Sequence, residues 1–239
     1  LTGLAYKNEK NYLDSGLNIL KNIIKDSIDK QGFPRSRNMR DLVFYLKYLI
    51  IIREWFKESQ NVIPEYIDET IYYLGSSYTF IWQNIKQDIF FNGNYLSNNH
   101  EFDHYLKRFG YTFKNQINEL GGYTILRNKK IILAADIGSN PEKIYTKNYQ
   151  AGALSFEIFS NDKKLISNSG YYPNTKNRLN KLSKSTALQN TLSIEDYSSC
   201  DFIKTSNNFL IQRGPKIINK NVVFEKNYWK ISASHNGYF

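Results

Sequence analysis

Apolar residues in the first hundred positions fall at helical spacing. Leu13, Leu17, Leu20, Ile24 and Ile28 recur three or four apart between lysines and aspartates, which predicts an amphipathic helix over residues 11–30. Gln31-Gly32-Phe33-Pro34 ends it, since glycine closes a helix and proline cannot extend one. Leu42, Val43, Leu46, Leu49, Ile50, Trp55 and Phe56 predict a second helix over 39–59. Pro64 suits the first turn of a third, which buries Ile67, Ile71 and Leu74 and runs toward Trp82. Phe102, Tyr105, Leu106 and Phe109 predict a short fourth over 101–109. Beyond Gly110 the period drops to that of strands. Short apolar runs at 123–126 and 130–135 flank a polar turn, and further runs follow at 152–160, 163–167, 190–194, 208–212, 221–224 and 228–234. Helical hairpins followed by short strands predict an α+β chain: a helical bundle or toroid, then an antiparallel β-sandwich, with the border near 110–121.

Composition narrows this picture. The net charge of +10 is uneven: residues 1–110 hold 14 Lys+Arg against 13 Asp+Glu, and residues 111–239 hold 18 against 9. Such asymmetry attracts a polyanion, whether acidic polysaccharide, nucleic acid or anionic surface, unless the lysines merely solvate the faces they sit on. No apolar run approaches the roughly 20 residues that span a bilayer. The single Cys200 excludes an internal disulfide and a thiolate metal cluster. His100 and His104, four apart, read as surface residues. The chain opens on Leu1 and stops in a strand-like run, and so reads as an internal fragment of a longer protein.

Three stretches carry more specific wording. Gln150-Ala151-Gly152-Ala153-Leu154-Ser155-Phe156-Glu157 is followed by Asn168-Ser169-Gly170 and then by Lys184-Ser185-Thr186-Ala187-Leu188-Gln189-Asn190-Thr191. In order and separation these resemble the β-domain of the heparinase II/III family of polysaccharide lyases. Ser36-Arg37-Asn38, Phe91-Asn92-Gly93 and Ala233-Ser234-His235-Asn236-Gly237-Tyr238 resemble loops and a strand of the same family. The departures are Gln150 and Gln189 in place of histidines, Asn168 in place of the aspartate of many members, and Met39 in place of a proline. Asp41 and Leu42 stand where better-studied members carry a Tyr-His pair.

The resemblance implies a partial (α/α) toroid over residues 1–115 and a truncated sandwich over 116–239. It also implies β-elimination on an acidic, uronate-containing glycan such as a glycosaminoglycan, in the periplasm or cell envelope. That chemistry removes the C5 proton, which needs donors around the sugar carboxylate, a base and an acid. Carried over, Arg37 and Asn38 would neutralise the carboxylate, and His235 is a further catalytic candidate. Each also has a structural alternative: a surface ion pair for Arg37, a helix N-cap for Asn38 and a structural hydrogen bond for His235. Gln150, Asn168, Gln189 and Asn92 would bind the sugar, or else hold strand ends and a turn together. The zinc ligands of some members become three amides here, which predicts no cofactor. The rival reading is a lyase fold that binds an acidic glycan without cleaving it. Nucleic acid, supported by charge and aromatics alone, ranks below both.

Overall fold

The computed structural model describes residues 1–6, 10–82, 85, 87–96, 99–206, 208–226 and 228–238. Helices α1 (Thr2–Ala5), α2 (Lys10–Ser27), α3 (Met39–Glu58), α4 (Glu65–Trp82) and α5 (Asn99–Arg108) lead the chain. The four longer ones fall within three residues of the bounds that periodicity predicts. Asn38 caps α3 by accepting from Arg40 N, and Pro64 O accepts from Ile67 N to open α4. His104 is exposed, and the His100 side chain lies outside the described residues.

Five antiparallel strands follow in chain order: β1 (Glu119–Leu120), β2 (Tyr123–Arg127), β3 (Ile131–Asp136), β4 (Phe156–Ser160) and β5 (Lys163–Ile166). Tyr123 faces Asp136 across β2–β3, and Ala134 faces Glu157 across β3–β4. Asn161 and Asp162, both at positive φ, close the β4–β5 hairpin, as its two-residue turn requires. A short helix α6 (Arg178–Ser183) and two separate hairpins complete the chain. These are β6 (Asp201–Lys204) with β7 (Phe209–Arg213), and β8 (Ile217–Phe224) with β9 (Trp229–His235).

The strand expected at 152–160 begins only at Phe156. Leu154 has φ +59°, outside any strand, because Ser155 N turns back to Gly152 O while Leu154 N reaches Asp136 O. Residues 190–194 also depart from a strand; the motif there winds into a 3₁₀ turn at Thr186–Leu188. Helix α6 and strand β6 carry no clear apolar period and have no counterpart in the sequence reading.

Helices and sheet share one core. Phe33, Met39, Leu42, Leu46, Ile50, Ile67, Leu74, Phe80 and Ile81 are fully buried in the same cluster as Tyr123, Ile125, Ala134 and Phe159 from the sheet. Phe33 is the bridge. Its ring lies 5.8 Å from the Tyr123 ring and covers Gly121, where a Cβ would meet it at 2.5 Å. Gly121, at φ +59°, is therefore held to glycine by both space and backbone. Truncating Phe33→Ala should cost about 3–5 kcal/mol in chemical denaturation, against under about 0.5 kcal/mol for Phe44→Ala on the exposed face of α3. Equal losses would mean that the two halves do not depend on this bridge.

Candidate functional site

Beside the shared apolar core, one polar side chain of the helical half is tied closely into the sheet. Arg37 sits at φ +56° in the loop before α3 and turns its guanidinium into the sheet. All five of its N–H groups are used. Nε donates to Gly121 O, Nη1 to Gly138 O and Ser139 O, and Nη2 to Gly122 O and, at 2.5 Å, to Asp136 Oδ1. Asn92 closes the other side, with Nδ2 donating to Asp136 Oδ2 at 2.8 Å and to Tyr123 Oη at 2.6 Å. Tyr123 in turn donates to Arg37 O. Burial opposes the charge on Arg37, but Asp136, Tyr123 and Tyr149 together outweigh it and raise the guanidinium pKa; burial also raises the Tyr123 phenol. Arg37 thus has no N–H left for a sugar carboxylate, and its ion pair is buried rather than at the surface. Asn92 is a buried member of the same knot.

Asn38 spends its Oδ1 on the α3 cap, while its Nδ2 lies against Gly93. At φ +85°, Gly93 leaves room for neither a Cβ nor a shift. A methyl group there would lie 2.8 Å from both Asn38 Nδ2 and Asn148 Cβ. Gly93 N donates to Gln150 Oε1 at 3.1 Å, fastening the turn to the β-half.

The three amides are brought close together and are all buried. Gln150 Nε2 donates to Gly170 O and Ser183 O, and Gln189 Nε2 shares Ser183 O. Asn168 Oδ1 accepts from Asn190 N at 2.7 Å, and its Nδ2 is buried without a partner among the described residues. These side chains do not fit zinc. The oxygens of Gln150 and Asn168 already accept backbone N–H bonds, and the set carries no charge to offset stripping the ion of water. Among the described residues no three His, Cys, Asp or Glu side chains converge as metal ligands. His235 ends β9, with Nδ1 accepting from Gly237 N at 3.0 Å and its ring 6.0 Å from Tyr238; burial lowers its pKa.

The open site lies beside the knot. A cavity of about 720 Å³ is walled by the start of α3, the end of α4 and the face of α5, including Arg40, Asp41, Lys47, Trp82, Asn94 and Tyr105. Arg40 stacks 3.5 Å over the Tyr95 ring and donates from Nη2 to Tyr95 O. Its Nε and the Trp82 Nε1 are buried donors without partners among the described residues. Burial raises the Asp41 carboxyl above the usual range, against a 2.6 Å bond from Ser36 Oγ and the pull of Lys147. Burial also pushes the Tyr105 phenol up to about 12. Sequence reasoning passed over Arg40 and Tyr95, and named Asp41 only as standing where better-studied members carry the Tyr-His pair. The available signal was their position: two and three residues past Asn38, and two past Gly93.

One buried cation steadies the loop that carries Asn148 and Gln150. Lys184 Nζ donates to Lys147 O and Phe209 O, and with no carboxylate among its hydrogen-bond partners burial pulls its pKa down to about 8.

Residues 119–239 match the family described as heparinase II/III-like, C-terminal. A search of curated proteins found no match. Among solved structures, a heparinase III with methylated lysines superposes at TM-score 0.75 and 13% identity over 98% of this chain and 38% of its own. Heparan sulfate lyase HepC from Pedobacter heparinus gives 0.69 and 13% over 98% and 39%, and another heparinase III gives 0.60 and 18% over 90% and 38%. At these identities the likeness is one of fold. The chain spans under two-fifths of the length of each of these structures.

Two outcomes follow. Asp136→Asn should cost about 3–5 kcal/mol by leaving the Arg37 charge uncompensated, whereas Glu119→Gln, which breaks the exposed Lys220 pair, should cost under about 1 kcal/mol. A loss below about 1 kcal/mol for Asp136→Asn would remove the knot's assigned role. For Lys184 the folded pKa lies below the ordinary 10.5, so the burial cost is constant below pH 8. Between about 8 and 10.5 the folded chain has released the proton and the unfolded chain still holds it, so stability rises with pH. Denaturation at stepped pH should show that rise in the native chain relative to Lys184→Met; parallel profiles would contradict it.

Proposed function

The chain belongs to the heparinase II/III-like C-terminal family, and on that premise we propose that it is part of a polysaccharide lyase acting on an acidic, uronate-containing glycan of the glycosaminoglycan kind. In this reading α2–α5 are part of an (α/α) toroid over residues 1–115, and the sheets are part of an antiparallel sandwich over 116–239. The work is done in the periplasm or cell envelope. No helix among the described residues is long and apolar enough to cross a membrane.

The observation that carries the reading is the stack of Arg40 on Tyr95 beside the 720 Å³ cavity. β-Elimination requires a base to take the C5 proton while the neighbouring carboxylate is neutralised. Tyr95, whose ring is held under the Arg40 guanidinium, is the residue assigned as that base. The unpaired Nε of Arg40, with Asn38 Nδ2 nearby in sequence, supplies donors for the carboxylate in place of the fully used Arg37. As the C5–H electron pair forms the C4–C5 double bond, the C4–O bond breaks. The leaving oxygen needs a proton, and Asp41, whose carboxyl burial holds protonated to higher pH, is the acid assigned here.

One observation favours the rival, a glycan-binding module without turnover: Gln150, Gln189, Asn92 and Arg37 spend their hydrogen bonds inside the protein. Incubating the whole protein with a panel of uronate polysaccharides and following ultraviolet absorbance of the unsaturated product separates the two. Under the lyase reading Tyr95→Phe lowers kcat by about 10²–10⁴ with the fold retained. An unchanged rate removes Tyr95 as base, and glycan affinity without any turnover in the native protein establishes the module instead.

A further inference from the structure

A second, smaller cavity shares no lining residue with the cleft. It measures about 210 Å³ and lies where the β2–β3 and β4–β5 hairpins end, between Arg127, Lys129, Lys130, Gln87 and Asp162. Arg127 leaves β2 with Nη2 donating to Phe80 O and Ile81 O, among the last carbonyls of α4. These supply only a partial negative charge, that of a helix C-terminus. Among the described residues Arg127 makes no ion pair with a carboxylate, and burial alone pulls its pKa down to about 10. Its Nε is buried without a hydrogen-bond partner among the described residues.

The surrounding turns are fixed. Asn128 Oδ1 accepts from Lys130 N at 2.8 Å and Ile131 N at 2.7 Å, which holds the two lysines at the rim. Gln87 Nε2 donates to Asp162 O and fastens the second hairpin across the cavity. Among the described lining residues Asp162 is the single carboxylate, against three cations. A guanidinium whose buried Nε–H is unspent, walled by lysines, is completed by an anion. The volume is below the roughly 300–1,000 Å³ of sites that engulf a small molecule, so it takes one charged substituent rather than a sugar chain.

We propose that this cavity is an oxyanion subsite, which holds one sulfate, phosphate or carboxylate group through Arg127 Nε and the ammonium groups of Lys129 and Lys130. The subsite is independent of the chemistry assigned to the cleft, and operates whether or not Tyr95 is a base.

The test uses the whole protein. Selenate, a sulfate isostere that scatters anomalously, should give a peak within hydrogen-bonding reach of Arg127 Nε in soaked crystals. Calorimetric titration with inorganic sulfate at fixed ionic strength should weaken about ten-fold in Lys129→Gln/Lys130→Gln. It should hold in Lys204→Gln/Lys216→Gln, which removes the same charge from exposed positions elsewhere in the basic half. A missing peak, or equal weakening in the two double variants, overturns the proposal. A sulfated oligosaccharide that binds more tightly than sulfate, and loses that advantage in Lys129→Gln/Lys130→Gln, identifies a glycan substituent as the ligand. Sulfate binding at least as tightly identifies a free oxyanion.

Discussion

The structure depends on a single guanidinium satisfying four backbone carbonyls and one carboxylate at the same time. Gly121, Gly122, Gly138 and Ser139 belong to two turns at one end of the sheet, where Gly122 O also accepts from Ile137 N and the other three oxygens look to Arg37. A carbonyl buried without a donor costs roughly as much as a lost hydrogen bond. Arg37 supplies the donors from the helical side, so the turns can close only when the loop before α3 is in place. A buried ion pair by itself adds little to stability, since desolvating the charges offsets their attraction. Its value here is geometric. The planar fork fixes the position of the loop, and Asn38, Arg40 and Asp41 follow from that loop within one helical turn.

Asn92 extends the same constraint to a third segment. Through Tyr123 and Asp136 it fixes the Phe91–Gly93 turn, and through Gly93 N the turn is joined to Gln150. Tyr95 follows two residues later, and its ring meets Arg40. The cleft is thus assembled by groups that are not themselves available to a ligand. This explains how residues matching a family's functional words can be buried while the groups next to them face the cavity.

Much of the fold was legible because helix periodicity reports burial directly. Leu42, Leu46, Leu49 and Ile50 are apolar at the right spacing because that face of α3 is in the core. The strand expected through Ala153 and Leu154 failed for a different reason. Both residues are apolar because the turn packs inward, and nothing in their spacing encodes a φ of +59° at Leu154. At the site, the motif words located Arg37, Asn92, Gln150, Asn168 and Gln189 in one neighbourhood but did not encode the hydrogen bonds these side chains make inside the protein. A donor's partner 99 residues away, as Asp136 is from Arg37, leaves no trace in local pattern. Arg40 and Tyr95 were invisible for the converse reason: each is an ordinary residue, and only their stacking makes them a pair.

The buried cations show how this chain uses its positive charge. Arg37, Arg127 and Lys184 each leave water to donate to backbone carbonyls at the end of a turn or helix, and the last two do so without an ion-paired carboxylate among the described residues. The pKa values of Arg127 and Lys184 fall as a result, to about 10 and about 8. Arg37 alone is paired with an acid, and it alone of the three is raised. A cation that has given all its donors to carbonyls is structural, whatever its position in a motif. Arg40 and Arg127 each keep one buried N–H uncommitted beside a cavity. An uncompensated donor of that kind stays costly until an anion meets it, so the places where this fold tolerates the cost are the places where an acidic ligand has most to gain.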